Sequence, residues 1–326
     1  SIQVAVPLSA LYSIIEGHSA SQHMVNIKEL EVQQTRQRIE MSVIEIYLQI
    51  LEIQAQMDLL DDTLERLKTH QRSVQAFVSQ GFLHAVQAKE IEYAIAQTQL
   101  GKSQATQGVQ LLSHQMELLL GLEESFEPIE ITDTILPPVE GTVQDSLSYR
   151  IAAERRAAAQ DGLQAAYGDL IPTVALLAAQ TNAQGQGALN PTSQQYVGLS
   201  VQGKFGWGQK WMTVKQRQLD YTMATQAVEL QANGTEMLQQ QLKNQWVNSQ
   251  QAIEIAELKV EIEATKQQQA QVQFRENHIT VTDLLDIEAD FTQANIELIQ
   301  TKHQSIIAQA KYQQSINSDT LRFTTP

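Results

Sequence analysis

Few side chains in this chain are spaced for chemistry. The clearest pair is Asp283 and Asp286 in "ENHITVTDLLDIE" (276–288), three apart and so on one face of a helix. Thr280 stands three residues before Asp283, the spacing of a capping box, and an acid suits the first helical turn. The seven histidines are scattered, with no HExxH and no carboxylate-paired cluster, so no metal site is read. His84 and His278 fall near breaks in the helical pattern, where they could sense pH; exposed turn histidines are the favoured reading. Glycine-rich phosphate loops and a serine elbow are absent, and there is no cysteine. No catalytic residue, cofactor or metal is expected. What remains is the electrostatics of carboxylates, and the elements must explain how they are presented.

Those elements are long helices. Val43, Ile46, Ile50, Ile53, Met57, Leu60, Leu64 and Leu67 recur at alternating steps of three and four, continued through Gln71, Val74 and Val78, which is a sustained heptad. Ile44, Leu48, Leu51 and Ala55 form a second stripe beside it. Two stripes let a helix pack on a neighbour at each side; one broad stripe facing a single core is the alternative. No proline falls between Ala10 and Gly81, and Gly17 is the only glycine inside that span. A helix of that extent would run roughly 100 Å, so an elongated chain is predicted.

The pattern occurs twice. A strand at "IQVAVPL" (2–8) precedes a long helical run to Gly81, then a shorter one to "LLLGLEES". A strand at 196–206, "YVGLSVQGKFG", precedes a run of matching length to Asn277, then a shorter one to "YQQSIN". Internal repeats fix architecture; the unit here is strand, long helix, tight turn, shorter helix. In the second strand Val197, Leu199, Val201 and Phe205 alternate with Gly198, Ser200, Gln202 and Lys204, the period of a strand with unlike faces. Trp207 and Trp211 follow. "IPTVALLAAQT" is a third strand candidate, reached through an Ala-rich helix and followed by the loop "NAQGQGALNPTSQQ". "FEPIEITDTILPPVEGTVQ" reads as a linker.

The net charge of −15 disfavours nucleic acid as a partner. No stretch approaches the roughly 20 apolar residues of a membrane-spanning helix.

In "AAYGDLIPTVAL", in "VGLSVQGKF" turning straight into a long helix, and in the tips "SQGFLHAVQ" and "ENHITVTDLLDIEADFTQANIELIQTKHQSIIAQAKY", the chain resembles the TolC family of outer-membrane efflux and secretion ducts. The resemblance runs through order and spacing rather than one diagnostic motif. It implies a mainly α fold with a small β part: coiled-coil helices forming a periplasmic α-barrel, and strands contributing to a trimeric transmembrane β-barrel. The expected division is a barrel strand at 1–8; a first helical repeat at 9–125 with its tip at 79–85; a linker at 126–143; a helix at 144–169 leading to the barrel; a barrel hairpin at 170–206 with an external loop at 182–195; a second helical repeat at 207–317 with its tip at 275–282; and a tail at 318–326. Three strands are counted where the family has four, so an N-terminal helix–strand segment is expected to be missing.

The implied function is an outer-membrane exit duct of a tripartite efflux or type I secretion system, a homotrimer passing substrates from the periplasm outward. The implied partners are a periplasmic adaptor protein, an inner-membrane pump or ABC transporter, and outer-membrane lipid. Val197, Leu199, Val201 and Phe205 would face lipid, with Trp207 and Trp211 at the periplasmic interface; packing of a soluble hairpin on helices is the alternative. Asp283 and Asp286 would ring the periplasmic entrance, where threefold symmetry brings six carboxylates about one axis. Asp283 equally suits the helix start, while for Asp286 the gate is the favoured reading. Phe274, Ile279 and Gln87 stand where the family braces its gate with tyrosine, arginine and aspartate, so no charged latch of that type is expected. The adaptor would dock at Gly81, Phe82, Leu83, Asn277, His278, Ile279, Thr280 and Thr282. The alternative from another class is a soluble periplasmic coiled-coil scaffold or adaptor.

Overall fold

The computed structural model describes residues 2–122, 126, 128, 141–181, 194–202 and 206–316, and, within these, the side chains of all but 181, 194 and 207. Phe205, named above as lipid-facing, lies outside the described residues, as does the side chain of Trp207. The elements in chain order are β1 (Ile2–Pro7), α1 (Ala10–Ser79), α2 (Ala85–Leu120), a 3₁₀ turn (Val143–Asp145), α3 (Leu147–Gly168), β2 (Thr173–Thr181), β3 (Gln194–Gln202), α4 (Trp207–Arg275) and α5 (Val281–Ile316). The protein is therefore mainly helical with one small sheet.

The repeat is written into these lengths. Helices α1 and α4 have 70 and 69 residues, and α2 and α5 have 36 each. Neither long helix contains a proline, so nothing removes a ladder donor before the turn. The chain divides into two compact units, each drawing on both repeats: Ser1–Thr35 with Gly141–Met237, and Arg36–Glu140 with Leu238–Pro326.

The first unit carries the sheet. Its strands lie in the order β1-β2-β3, all antiparallel. Val4 pairs with Ala178 and Ala178 with Val197; Val6 pairs with Leu176 and Leu176 with Leu199. Because side chains alternate between faces, this register collects Ile2, Val4, Val6, Val174, Leu176, Val197, Leu199 and Val201 on one face, while Leu177 and Tyr196 fall on the other. The other face also receives Gln3, Ala5, Thr173, Gly198, Ser200 and Gln202. Below the sheet, Ile27 and Leu30 of α1 pack with Leu147 and Ile151 of α3, and Val214 of α4 packs with Leu163 and Ala166. His23 of α1 bonds Glu154 of α3 at 2.6 Å. Gly168 sits where a Cβ would lie 2.7 Å from Tyr12 Cδ1, so α3 and α1 approach too closely there for a side chain.

The second unit is helical. Ile46, Ile50 and Met116 join α1 to α2, and Met41 with Ala310 joins α1 to α5. Its largest apolar cluster lies at the end holding both turns: Val74, Ile91, Ala270, Phe274, Val281 and Leu284, drawn from all four helices.

Candidate functional site

The two turns have the same construction. Gly81 N–H donates to the Val78 carbonyl (3.0 Å) and Phe82 N–H to Phe77 (2.9 Å); Asn277 N–H donates to Phe274 (3.1 Å) and His278 N–H to Gln273 (2.8 Å). These paired bonds are those of a Schellman helix end, which needs a left-handed residue, best filled by glycine and then asparagine. Gly81 has φ +80° and Asn277 φ +58°. Each chain then re-enters a helix through matching bonds. His84 N–H donates to Gln87 Oε1 (2.9 Å), and Thr280 N–H to Asp283 Oδ2 (3.0 Å). In the second turn the exchange is reciprocal, since Asp283 N–H donates back to Thr280 Oγ1 at 3.1 Å, and that hydroxyl donates to Asp283 Oδ2 at 2.7 Å.

The geometry thus sorts the tip residues. Gln87 and Asp283 do the same work, each closing the start of its own return helix. The Thr280 hydroxyl, and then the Thr280 N–H, hold the Asp283 carboxyl below the usual carboxylate range. Asp286 is exposed one turn further on, outside the cap. Phe274 is only 4% exposed and meets Phe77 edge-on at 6.1 Å, so it lies within the core under the tip rather than on an open surface. Leu83 and Ile279 turn inward against the same core. Gly81, Phe82, Asn277, His278, Thr280 and Thr282 are exposed. Thr282 Oγ1 donates to Glu90 Oε2 at 3.2 Å, tying the start of α5 to α2.

Behind the tip lies a cluster that sequence reading missed. Glu288 is 1% exposed. Arg66 Nε donates to its Oε2 at 3.0 Å, His70 Nε2 lies 3.0 Å from its Oε1, and Gln267 Nε2 approaches both oxygens. Arg66 also bonds Thr63 and covers the Phe291 ring at 5.3 Å. Burial pushes the Glu288 carboxyl up, but the bonds from His70 and Arg66, with the guanidinium charge and Gln267, outweigh it and hold the group below its ordinary range. One carboxylate so fastens α5 to α1 and α4. A signal did exist: Val281, Leu284, Glu288 and Thr292 form one buried stripe, and a charge inside such a stripe demands a partner. That partner lies 222 residues away, beyond any local pattern.

The sheet presents a different surface. Val197, Leu199 and Val201 are 75%, 71% and 70% exposed, and Ile2, Val4, Val6 and Leu176 beside them are exposed too. No other layer of the described residues covers this apolar face. Below its edge Trp211 is 52% exposed. Among the described residues no helix is long and apolar enough to cross a membrane, and no cluster of three or more His, Asp or Glu could hold a metal.

No family model and no curated protein sequence matches the chain, but solved structures do. The outer-membrane channel OprN aligns over 97% of this chain and 74% of its own, with TM-score 0.82 and 18% identity. The outer-membrane protein VceC of Vibrio cholerae aligns over 96% and 77%, with TM-score 0.81 and 14% identity. The MtrE outer-membrane channel of Neisseria gonorrhoeae aligns over 96% and 73%, with TM-score 0.72 and 13% identity.

Proposed function

We propose that this chain, which has the fold of the TolC-type outer-membrane channels, is the outer-membrane exit duct of a tripartite export system. The observation that carries this reading is the bare sheet. Three strands, in register, place most of their large apolar residues on one uncovered face and mainly small or polar residues, with Leu177 and Tyr196, on the other. In water that arrangement leaves a large apolar patch unburied. In an outer-membrane barrel the same alternation puts the apolar face toward lipid and the polar face toward the lumen.

A three-stranded sheet has two edges, and an open edge is not tolerated in hydrocarbon. Closure therefore calls for strands beyond these three, within each copy as well as from the other copies of a threefold assembly, because three antiparallel strands per copy would meet their neighbours in parallel. The helices support the same conclusion. Val86, Tyr93 and Leu100 of α2 are exposed at seven-residue spacing, as are Ile255 and Ile262 of α4, the spacing of a seam awaiting another helix. In this reading the duct is passive. A periplasmic adaptor docks at the exposed turns around Phe82 and His278, an inner-membrane pump or ABC transporter supplies energy, and Asp283 and Asp286 ring the periplasmic entrance.

Membrane extraction followed by mass measurement tests the proposal. The protein is expected to need detergent, to run at three times the 36.4 kDa chain mass, and to conduct ions in a planar bilayer. Recovery without detergent as a monomer that forms no pores would overturn it in favour of a soluble scaffold.

A further inference from the structure

The border between the sheet and the helices carries one unusual charge. Between Asp169 and Asp220 the sequence has no acidic residue, yet it has Lys204, Lys210, Lys215 and Arg217. This is an all-cationic stretch in a chain of net charge −15. The corresponding start of the first repeat, residues 2–15, has no charged residue at all. Lys204 lies outside the described residues. Lys210 Nζ donates to the Asp169 carbonyl, and Arg217 lies 3.8 Å from Asp220. Lys215 is exposed, makes no ion pair with a carboxylate among the described residues, and holds its ammonium 5.7 Å from the Trp211 ring centroid, a cation–π distance.

The side on which this pair lies follows from helix geometry. A cleft of about 300 Å³ beneath the sheet is lined by Ser9, Ser13, Thr173, Gln202, Lys210 and Thr213. Thr173 and Gln202 are partners on the polar face of the sheet, so Thr213 of α4 and Ser13 of α1 turn toward that face. At about 100° per residue, Trp211 lies about 200° round the helix from Thr213, and Lys215 about 40° from Trp211. Both therefore turn toward the apolar face. By the same step Leu11 and Ile15, two residues either side of Ser13, are on the apolar side, and both are exposed. The apolar face thus continues about one helical turn below the sheet and ends in an indole with an ammonium group over its ring.

We infer that Trp211 and Lys215 bind the headgroup of an anionic phospholipid at the periplasmic border of the apolar band. The inference rests on the lipid-facing reading of the sheet. Indole lies well at a bilayer interface. An ammonium group just beyond it meets lipid phosphate and is favoured by the negative potential of an anionic surface. An uncharged sugar or a zwitterionic headgroup would gain little from Lys215. A net negative headgroup gains most, and the nearest acidic residues in sequence are Asp169 and Asp220, the latter 3.8 Å from Arg217.

Tryptophan quenching by brominated lipids tests this in full-length protein reconstituted into phosphatidylcholine bilayers. The bromine is carried either on phosphatidylcholine itself or on a minor fraction of phosphatidylglycerol. The share of quenching that disappears in Trp211→Phe reports the site. At equal mole fraction, brominated phosphatidylglycerol is expected to quench this share roughly twofold to fivefold better than brominated phosphatidylcholine. Lys215→Gln should equalise the two, Lys215→Arg should keep the preference, and high salt should weaken it. Equal quenching of the wild-type site by both lipids would overturn the inference while leaving the membrane reading intact. Quenching by neither would remove the membrane reading and the inference with it.

Discussion

At the scale of single residues, the tip separates two acids that look alike in sequence. Asp283 is bound by its own helix start through three hydrogen bonds to Thr280, a role its spacing announced. Asp286 is exposed and outside the cap, so the helix start does not engage its charge. In the duct proposed above, Asp286→Asn should relieve block by divalent cations in planar-bilayer recordings without loss of the trimer. Asp283→Asn should relieve block and also lower the melting temperature; unchanged block in Asp286→Asn would place that carboxylate off the axis. Glu288 belongs to another class, a buried charge legible only as an anomaly in an apolar stripe. Removing one member of a buried pair leaves the other unpaired, so Glu288→Gln should cost about 3–5 kcal/mol in denaturant unfolding. Because the folded carboxyl sits below its ordinary value of 4.5, its contribution is present above that value. It is lost as pH falls through the lower folded one. Acid titration of stability should show that loss in the wild type and not in Glu288→Gln.

At the scale of elements, helices and turns were legible because each rests on local rules. Heptads and the absence of proline mark the long helices, and the residues Gly81 and Asn277 mark where α1 and α4 stop. The β2–β3 hairpin was legible as well, but the partner of β1 was not. Alternation in "YVGLSVQ" shows two unlike faces, but nothing local shows that β1 would pair with β2, about 175 residues on, in the register that aligns Val4 with Val197 across Ala178. The two faces give this element its own test. Arginine at Leu199 or Val201 should cost about 2–4 kcal/mol if the position lies near the bilayer midplane. Arginine at Ser200 or Gln202 should be tolerated. Heat stability of the detergent-extracted assembly reads the difference, and equal tolerance at both sets would remove lipid from the apolar face.

At the scale of the whole molecule, identities of 13–18% accompany TM-scores of 0.72–0.82. The fold is set by periodicity and by the spacing of breaks, which many sequences satisfy, so a fold is readable where few residues agree. Long-range links are where such reading stops. Both compact units are built from both repeats, and β1 finds its partner only at Thr173–Thr181. That topology sets an order of events. During synthesis β1 must wait for more than 160 further residues before β2 is made, and Arg66 waits longer still for Glu288. Such non-local pairing makes folding slow and leaves early segments open to aggregation. Nascent chains halted before Thr173 should stay protease-sensitive at residues 2–7 and throughout α1, whereas chains extended beyond Ile316 should be protected. Each compact unit is completed only when both copies of the repeat are present, so neither copy is a module that could be made, stored or exchanged alone.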